Sequence, residues 1–191
     1  HKTMEGKCII LCAPSGAGKT SITKYLLDQD LGLEFSISAC NRKKRENEID
    51  GVDYYFLTTE DFKRRIENEK FVEWEEVYKD NFYGTLKTEI NRIWNSGKNV
   101  IFDVDVEGGL SLTKHFGEKA LAIFIKPPSV EALEERLRSR GTEDEEKIQK
   151  RLAKAEKELG YAKWFDTIII NEDLKTAQEE VLSIVKSFLR K

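Results

Sequence analysis

The sequence predicts an α/β fold, in which helices pack on a central parallel β-sheet. Four short apolar segments, at residues 7–13, 99–106, 120–126 and 166–171, are typical of strands that are buried on both faces. Helical patterns separate these segments, and such alternation favours parallel strands joined by helical crossovers. A chain of 191 residues is long enough for one compact unit with small insertions.

The helices next to the first and last strands have clear apolar stripes. After residues 7–13 and a glycine-rich loop, Ile22, Tyr25 and Leu26 recur at helical spacing. A helix after the last strand is predicted from a longer stripe, which consists of Ala177, Val181, Ile184, Val185, Phe188 and Leu189.

Residues 35–98 interrupt this alternation. Short strands are predicted around FSIS, DYYFL and FVEWEEV. One helix is predicted to begin near Thr58, and another to run from about Leu86 to the SGK sequence at 96–98. We interpret the segment as a small β-rich insertion.

Residues 127–160 form a second interruption. The sequence PPS starts a charged helix, GT interrupts it, and Thr142 with Glu145 forms a capping-box pattern that restarts it. Because the segment has few large apolar residues, we expect an exposed helix-turn-helix that moves as a flap.

The composition argues against several classes of protein. The 32 Lys and Arg residues and 35 Asp and Glu residues give a formal net charge of −3, whereas nucleic-acid binders are usually basic. The three cysteines and two histidines form no close cluster that would hold zinc. No apolar run approaches the roughly 18 residues of a membrane span. We therefore expect a cytoplasmic protein with free thiols and no nucleic-acid or membrane partner.

Residues 13–20, APSGAGKT, are predicted to bind the phosphates of a nucleoside triphosphate. They follow a strand and open a helix, which is the context of a P-loop. Small residues let backbone N–H groups and the helix N-terminus converge on phosphate oxygens. Lys19 then reaches the β- and γ-phosphates, and the Thr20 hydroxyl can ligate Mg²⁺. The residues of this predicted site are Ala13, Pro14, Ser15, Gly16, Ala17, Gly18, Lys19 and Thr20.

Two carboxylates follow the second apolar segment. Alternation along NVIFDVDV places Asp103 and Asp105 on the same face as Ile101. Buried carboxylates need cations or hydrogen-bond donors to offset their desolvation. A Mg²⁺-bound nucleotide, Lys19 or an incoming substrate could supply them; alternatively, both residues cap loops or pair with structural lysines.

The insertion supplies residue types that are suited to holding a phosphate monoester. Arginine forks and tyrosine hydroxyls match phosphate oxygens well. The candidate residues are Ser38, Arg42 and Arg45 in SISACNRKKR, Tyr54 in DYYF, and Glu73, Tyr83 and Thr85 in FVEWEEVYKDNFYGT.

Taken in order, these motifs resemble those of the guanylate kinase family, of the bacterial housekeeping type. The resemblance runs through APSGAGKT, FSIS with NRKKR, DGVDYYF, FVEW, NFYGT, FDVDVEG, PPSVEALEERLRSRGTEDEEKIQKRL and IIINEDL. It implies a P-loop three-layer sandwich with a central parallel sheet, a β-rich GMP-binding insertion and a helical lid. The implied parts are a core of residues 1–34, 99–126 and 161–191, a GMP-binding lobe of residues 35–98, and a lid of residues 127–160.

The resemblance also implies a role for each candidate residue. Arg42, Arg45, Tyr54 and Tyr83 would hold the GMP phosphate, whereas Ser38, Glu73, Thr85 and Asp105 would read or steady the guanine. Asn171 matches a position near the adenine of ATP. Guanine presents N1–H and N2–H₂ side by side, so one carboxylate at Glu73 can accept from both. Adenine presents an acceptor at N1 and would leave that charge poorly paired.

Three lid arginines complete the predicted catalytic set with Lys19 and Arg42. Arg136 and Arg140 are four residues apart, and like charges at this spacing disfavour an isolated helix by about 0.2 to 0.5 kcal/mol. A bound anion would reverse that sign, and the resemblance implies that the anion is the ATP phosphate chain, which Arg151 joins when the flap closes. Arg138 is expected to pair with Glu134 at the surface instead.

The resulting hypothesis is Mg²⁺-dependent transfer of the γ-phosphoryl group of ATP to GMP, with dGMP as a further acceptor, by a monomer or weak homo-oligomer. Alternatives are a catalytically silent guanylate-kinase-like interaction module and a nucleoside monophosphate kinase with another acceptor, such as AMP or UMP. A P-loop motor or GTPase is disfavoured because the chain has no Asn-Lys-x-Asp string. Cys40 and Asn41 replace a Thr-Thr pair that is common in the family, and Asn47 replaces a glycine.

Overall fold

The computed structural model describes residues 5–14, 16–141 and 144–191. Ser15 and Thr142, to which the sequence assigned roles, lie outside the described residues. The strands are β1 (Cys8–Cys12), β2 (Leu33–Phe35), β3 (Ala39–Cys40), β4 (Tyr55–Phe56), β5 (Phe71–Tyr78), β6 (Asn81–Leu86), β7 (Asn99–Asp103), β8 (Ala120–Lys126) and β9 (Thr167–Ile170). The α-helices are α1 (Lys19–Leu27), α2 (Thr59–Glu67), α3 (Lys87–Asn95), α4 (Val106–Phe116), α5 (Val130–Ser139), α6 (Glu145–Leu159) and α7 (Leu174–Arg190).

The central sheet is parallel, with the strand order β2-β7-β1-β8-β9. The four predicted strands are confirmed as β1, β7, β8 and β9. The sheet also contains β2, which the sequence did not reveal because its three residues are too short to show a pattern. All five residues of β1 are buried, as expected for a strand between two neighbours and two helical layers.

Each face of the central sheet carries its own hydrophobic core. Cys8 and Ile10 point into a core with residues of α3 and α4, whereas Ile9 and Leu11 point into a core with residues of α1 and α7. The predicted stripe of α7 is confirmed, because Ala177, Val181 and Val185 are fully buried in the second core and Ile184, Phe188 and Leu189 pack against it. The result is the predicted three-layer arrangement of helix, sheet and helix.

A second, four-stranded sheet has the order β4-β3-β6-β5 and packs on α2 through the stacked rings of Phe62, Phe71 and Phe82. The strand predicted around FSIS is confirmed only at its edges, since Phe35 ends β2, the next three residues are irregular, and β3 begins at Ala39. The strand β6 was missed, because NFYGTL lacks a long apolar run. Asn41 continues the β3–β6 contact with its side chain, which accepts from the Phe82 N–H and donates to the Asp80 carbonyl.

The predicted helix-turn-helix is confirmed as α5 and α6. Ser129 and Asp144 cap the two helices, each by accepting a hydrogen bond from a backbone N–H three residues later. The pair is more apolar inside than the sequence suggested, because Leu133, Leu137, Ile148, Leu152 and Ala155 form a buried cluster between the helices.

The strand predicted at residues 99–106 ends earlier, at Asp103. Asp105 is instead the N-cap of α4, and its carboxylate accepts a hydrogen bond from the Gly108 N–H at 2.8 Å. The Asp-Val-Glu-Gly sequence contains this helix-start signal, but the apolar run before it masked the boundary. The two aspartates therefore stand at the carboxyl end of β7, where open parallel sheets usually bind ligands.

Candidate active site

The predicted phosphate loop connects the carboxyl end of β1 to the N-terminus of α1. Gly16 and Gly18 have φ angles of 84° and 88°, and residues other than glycine rarely adopt this backbone conformation. A Cβ on Gly18 would lie 2.4 Å from the Asn171 side-chain nitrogen. Glycine is therefore required at position 18 both for backbone conformation and for space.

Asn171, at the end of β9, supports this loop. Its buried side chain donates a hydrogen bond to the Ala17 carbonyl at 2.7 Å, and its backbone N–H donates to the Lys126 carbonyl at 2.8 Å. Among the described residues, no donor reaches its side-chain oxygen. The resemblance placed Asn171 near the adenine of ATP. In the structure, its side-chain amide supports the phosphate loop, and Asn171 lines a cavity together with Gly16 and Gly18 of that loop.

Lys19, at the start of α1, forms the central ion pair of the site. Its ammonium lies 2.5 Å from Asp103 Oδ1 and donates to the Val104 carbonyl at 3.1 Å. The Thr23 hydroxyl lies within 3.5 Å of the other Asp103 oxygen. Of the partners considered for Asp103, Lys19 is the one that the structure provides.

The donor set near Lys19 fits a magnesium–nucleotide complex better than a metal site built only by protein. Thr20 is exposed in the first turn of α1, so its hydroxyl is available at the end of the phosphate loop. Within residues 5–14, 16–141 and 144–191, no three His, Cys, Asp or Glu side chains cluster as metal ligands. Mg²⁺ in nucleotide sites needs few protein ligands, because phosphates and water fill the rest of its octahedron.

The lid arginines approach the loop from α5. Arg136 donates hydrogen bonds to the carbonyls of Gly16 and Asn171, at 3.2 and 3.3 Å. Arg140 lines a cavity of about 460 Å³ together with Gly16, Gly18 and Arg136. Arg151 is half-buried on α6. Arg138 pairs with Glu134 and Glu145 at the surface, as predicted for a solvated residue.

A second cavity, of about 220 Å³, lies between β5, β6 and the carboxyl end of β7. It brings together five of the predicted GMP-binding residues, namely Ser38, Tyr54, Glu73, Tyr83 and Asp105. Thr85 is fully buried and donates its hydroxyl hydrogen to Glu73 Oε1 at 2.9 Å. Asp103 also lines this cavity, so the residue that pairs with Lys19 borders the second site.

Glu73 is an unusual carboxyl group. Burial raises its pKa to about 7, the hydrogen bond from Thr85 opposes that rise, and the charge of Asp105 adds to it. The hydrogen bond from Thr85 thus fixes the orientation of the Glu73 carboxyl group, and further hydrogen-bond donors would stabilise its charged form. A pair of adjacent N–H groups on a planar ligand would supply such donors.

Of the predicted phosphate-binding residues, Tyr54 and Tyr83 line this cavity, whereas Arg42 and Arg45 are not part of its lining. The Arg42 guanidinium lies next to the cavity and stacks on the Tyr54 ring, with its central carbon 5.0 Å from the ring centroid. The Tyr54 and Tyr83 rings meet edge to face with centroids 6.0 Å apart. Arg45 lies exposed in the same loop, three residues along from Arg42.

Sequence reasoning missed Glu48, which organises this loop. Its carboxylate accepts two parallel hydrogen bonds from Arg42, at 2.7 and 2.6 Å, and another from the Arg45 backbone N–H at 2.8 Å. These donors lower the pKa of Glu48 to about 2, with the Arg42 contribution largest. A six-residue separation within a loop follows no regular period, so no sequence signal indicated the pair.

Sequence reasoning also missed Glu75, which lines the cavity two residues after Glu73 on β5. Burial raises its pKa to about 7, and so do hydrogen bonds and charge from Asp105 and Glu107. The two-residue repeat of a strand could have identified it, since it places Glu75 on the same face as Glu73.

In the described part of the chain, no helix is both long and apolar enough to cross a bilayer. Cys8, Cys12 and Cys40 are buried free thiols, as the sequence predicted.

The chain is similar to known guanylate kinases in sequence and in fold. A sequence model of the family described as guanylate kinase matches residues 5–188. A guanylate kinase of Bacteroides thetaiotaomicron is 53% identical over 190 residues, covering 100% of this chain and 93% of that protein. A guanylate kinase of Porphyromonas gingivalis is 53% identical over 186 residues, covering 97% and 99%. The crystal structure of guanylate kinase from Anaplasma phagocytophilum superposes with a TM-score of 0.73 at 28% identity, covering 97% of this chain and 87% of that one.

Proposed function

Because this chain belongs to the guanylate kinase family and phosphorylates GMP with ATP, we propose that its two cavities divide the two nucleotides between them. ATP binds at the phosphate loop and the 460 Å³ cavity beside it, and GMP binds in the 220 Å³ cavity. The observation that carries this assignment is the Glu73–Thr85 pair, a directed carboxylate in a cavity that Tyr54 and Tyr83 also line, with Arg42 stacked on Tyr54.

Glu73 reads the guanine of GMP. Its carboxylate accepts from N1–H and N2–H₂, and Thr85 holds it in place. Ser38 and Asp105 line the same end of the cavity and steady the base. Since adenine offers no adjacent donor pair, the buried charge of Glu73 would stay unsatisfied with AMP, and such mismatches discriminate strongly.

The phosphate of GMP binds at the other end of the cavity. Arg42, Arg45, Tyr54 and Tyr83 supply guanidinium and hydroxyl donors there. Glu48 holds Arg42 and the Arg45 backbone in place by its bidentate pair and its third hydrogen bond. A planar guanidinium held in this way presents its remaining N–H groups to a phosphate oxygen.

The triphosphate of ATP binds at residues 13–20. Backbone N–H groups of the loop and the N-terminus of α1 surround the phosphates, with Lys19 at the β- and γ-phosphates. Asn171 supports the loop below the nucleotide, and Arg136 and Arg140 approach from the lid. The Thr20 hydroxyl would hold Mg²⁺, and the ion would supply positive charge to the triphosphate.

Phosphoryl transfer then depends on alignment and charge. A phosphate monoester is mostly dianionic at pH 7, so a GMP oxygen attacks without a general base. Lys19, Arg42, Arg136, Arg140 and Arg151 balance the charge of the transferred group. Asp103 contacts Lys19 on one side and lines the GMP cavity on the other, which keeps the lysine directed toward the gap between the substrates.

Three parts of the chain move relative to one another in this mechanism. Residues 35–98 act as the GMP-binding lobe and 127–160 as the lid, while 1–34, 99–126 and 161–191 form the core. Closure of lobe and lid aligns the substrates and excludes water, so that hydrolysis of ATP does not compete. The near-balanced charge supports function without nucleic acid. We further propose use of dGMP, a cytoplasmic location and a monomeric or weakly homo-oligomeric state.

An acceptor screen tests the assignment. With MgATP, the release of ADP is measured with GMP, dGMP, AMP, CMP or UMP. We expect GMP to be used best and dGMP next, and E73Q to lose GMP use by far more than it loses ATP binding. E76Q is the matched control, because Glu76 is exposed on the same strand and lies outside the residues that line the GMP cavity. Faster use of AMP than of GMP would overturn the base assignment.

A further inference from the structure

Glu75 is a carboxylate in the GMP cavity to which the proposed mechanism gives no role. It lines the cavity beside Glu73, and the two residues share one face of β5 because they are two positions apart. On the paired strand, Glu73 lies opposite Thr85, and Glu75 lies opposite Tyr83. Glu75 thus occupies the next step along the cavity, from the base-reading pair toward the phosphate-binding tyrosine.

With the base edge at Glu73 as proposed, Glu75 is expected to lie beside the sugar of the nucleoside monophosphate. Two residues along a strand span roughly 6.5 to 7 Å, which is similar to the distance between a base edge and the middle of its ribose. In the common anti form of a guanine nucleotide, N2, N3 and the 2′-hydroxyl follow one another along one edge. With N1–H and N2–H₂ on Glu73, the next donor along that edge is the 2′-hydroxyl.

The surroundings of Glu75 are rich in acceptors. Asp105, Glu73 and Asp103 line the same cavity as Glu75, and the charges of Asp105 and Glu107, at the N-terminus of α4, raise the pKa of Glu75. Partly buried oxygens without donors are costly, so a donor from the ligand is favoured here. A hydroxyl is a neutral donor and avoids the repulsion that another anion would meet.

We propose that Glu75 accepts a hydrogen bond from the 2′-hydroxyl of GMP and thereby makes the enzyme prefer GMP to dGMP. This inference rests on the proposed function, which assigns GMP to this cavity. The 2′-hydroxyl is the group that distinguishes the two sugars, and it is the usual means by which proteins tell ribonucleotides from deoxyribonucleotides. A site that hydrogen-bonds a substrate hydroxyl disfavours the analogue that lacks it, since the site's own polar group is then unpaired.

The test compares kcat/KM for GMP and dGMP at saturating MgATP in wild type, E75A, E75Q and E76A. We expect wild type to favour GMP by roughly tenfold or more, as for a hydrogen bond to a charged group. E75A should bring the ratio close to one by losing GMP activity, and E75Q, which keeps a neutral acceptor, should give an intermediate ratio. E76A removes the same charge from an exposed position on the same strand and should keep the wild-type ratio.

Two outcomes would overturn the role of Glu75. One is a wild-type GMP:dGMP ratio in E75A or, should E75A not fold, in E75Q. The other is an equal rise in kcat/KM for GMP and for dGMP in E75A, which would mean that the Glu75 carboxylate merely repels the phosphate. Wild-type protein that phosphorylates neither acceptor would instead refute the proposed function itself. Thermal unfolding of each variant verifies its fold, and calorimetric titration of GMP and dGMP without ATP measures the same preference in binding.

Discussion

At the scale of single residues, the GMP cavity is built from groups that are unfavourable in the empty protein. Glu73 is a half-buried carboxyl; within the described part of the chain its hydrogen-bond donor is the Thr85 hydroxyl, and Asp105 repels its charge. A guanine that brings two N–H groups removes this disadvantage. On the proposed assignment of Glu73, selectivity for guanine and poor stability of the cavity without a ligand have the same physical origin.

The stability of the E73Q variant tests this origin. The pKa of Glu73 is raised from its ordinary value of 4.5 to about 7 in the folded protein. The favourable contribution of Glu73 to the free energy of unfolding is thus complete below pH 4.5 and is lost as the pH rises through about 7. We expect E73Q to raise the free energy of unfolding of the ligand-free protein at pH 8 by roughly 1 to 3 kcal/mol, with a smaller gain at pH 5.

Urea unfolding at the two pH values measures this difference, with E76Q as the exposed control. A gain that is the same at pH 5 and pH 8 would contradict the titration of Glu73 as its cause.

The affinity for GMP should depend on the same titration. In the proposed complex, only the ionised form of Glu73 accepts from both guanine donors, so the protonated enzyme should bind GMP poorly. With a pKa of about 7 in the empty protein, the KM for GMP should fall roughly tenfold between pH 6 and pH 8. The phosphate of GMP ionises near pH 6 as well, and Glu75 has a raised pKa beside Asp105 and Glu107.

Two variants separate these contributions. E73Q should keep only the parts that come from the phosphate and from Glu75, whereas E75Q should keep those that come from the phosphate and from Glu73. A wild-type KM for GMP that does not change over this range, or a KM for ATP that changes in parallel, would refute the role of Glu73 in the dependence.

At the scale of elements, the sequence predicted the parts whose pattern is enforced by burial. β1 and β8 contribute residues to both cores, and α7 contributes residues to one core. The apolar runs of the two strands and the apolar stripe of the helix are therefore unbroken. β2 and β3 have three and two residues, and pairing with longer neighbours rather than their own composition creates them. The strand predicted through Asp105 was too long for another reason. The apolar run continues past Asp103, but Asp105 caps α4 and so the helix begins there.

The candidate site follows the same distinction. The phosphate loop was predictable because its chemistry requires adjacent residues, with Gly18 and Lys19 side by side. Glu48 was not, because its pairing with Arg42 depends on how an irregular loop folds back. The lid was predicted as two helices, but the cluster around Ile148 became visible only when α5 and α6 were placed together.

This cluster holds the lid helices as one unit, and I148A tests its importance. Ile148 is buried between α5 and α6, and Leu133 of the same cluster lies close to Gly16 of the phosphate loop. Loss of its side chain should loosen the position of Arg136 and Arg140. We expect a several-fold higher KM for ATP and a lower kcat, with GMP binding in the absence of ATP unchanged.

Steady-state kinetics and calorimetry measure these effects. K147A changes an exposed neighbour on α6 and should leave both constants at their wild-type values. An equal weakening of GMP binding in I148A would show that the cluster supports the whole fold rather than the lid.

At the scale of the whole molecule, the two proposed nucleotide sites meet at the carboxyl end of β7. Asp103 pairs with Lys19 of the phosphate loop and also lines the proposed GMP cavity, so this one strand would contribute to both sites. The lobe that carries the rest of the GMP site continues directly from β2, the neighbour of β7 in the sheet. The geometry of transfer therefore depends on how the segment after β2 is held.

Glu89 of α3 holds that segment. It is almost fully buried, and its carboxylate accepts hydrogen bonds from the Ile37 N–H at 2.7 Å and the Tyr55 hydroxyl at 2.6 Å. Arg92 pairs with it and also with Glu34 on β2. Ile37 lies between β2 and β3, so Glu89 joins the central sheet to the second sheet.

Replacing Glu89 should disturb the relation of lobe and core without touching either nucleotide. E89A leaves the Ile37 N–H and the Tyr55 hydroxyl without their acceptor, at roughly 1 to 3 kcal/mol for each group that stays buried. We expect a lower free energy of unfolding in urea, a higher KM for GMP and a lower kcat, with ATP binding in the absence of GMP unchanged. E89Q, which keeps one acceptor oxygen, should lie between E89A and wild type, and E67A, an exposed change on α2, should resemble wild type. Normal kcat and KM for GMP in a destabilised E89A would mean that Glu89 stabilises the fold without aligning the lobe.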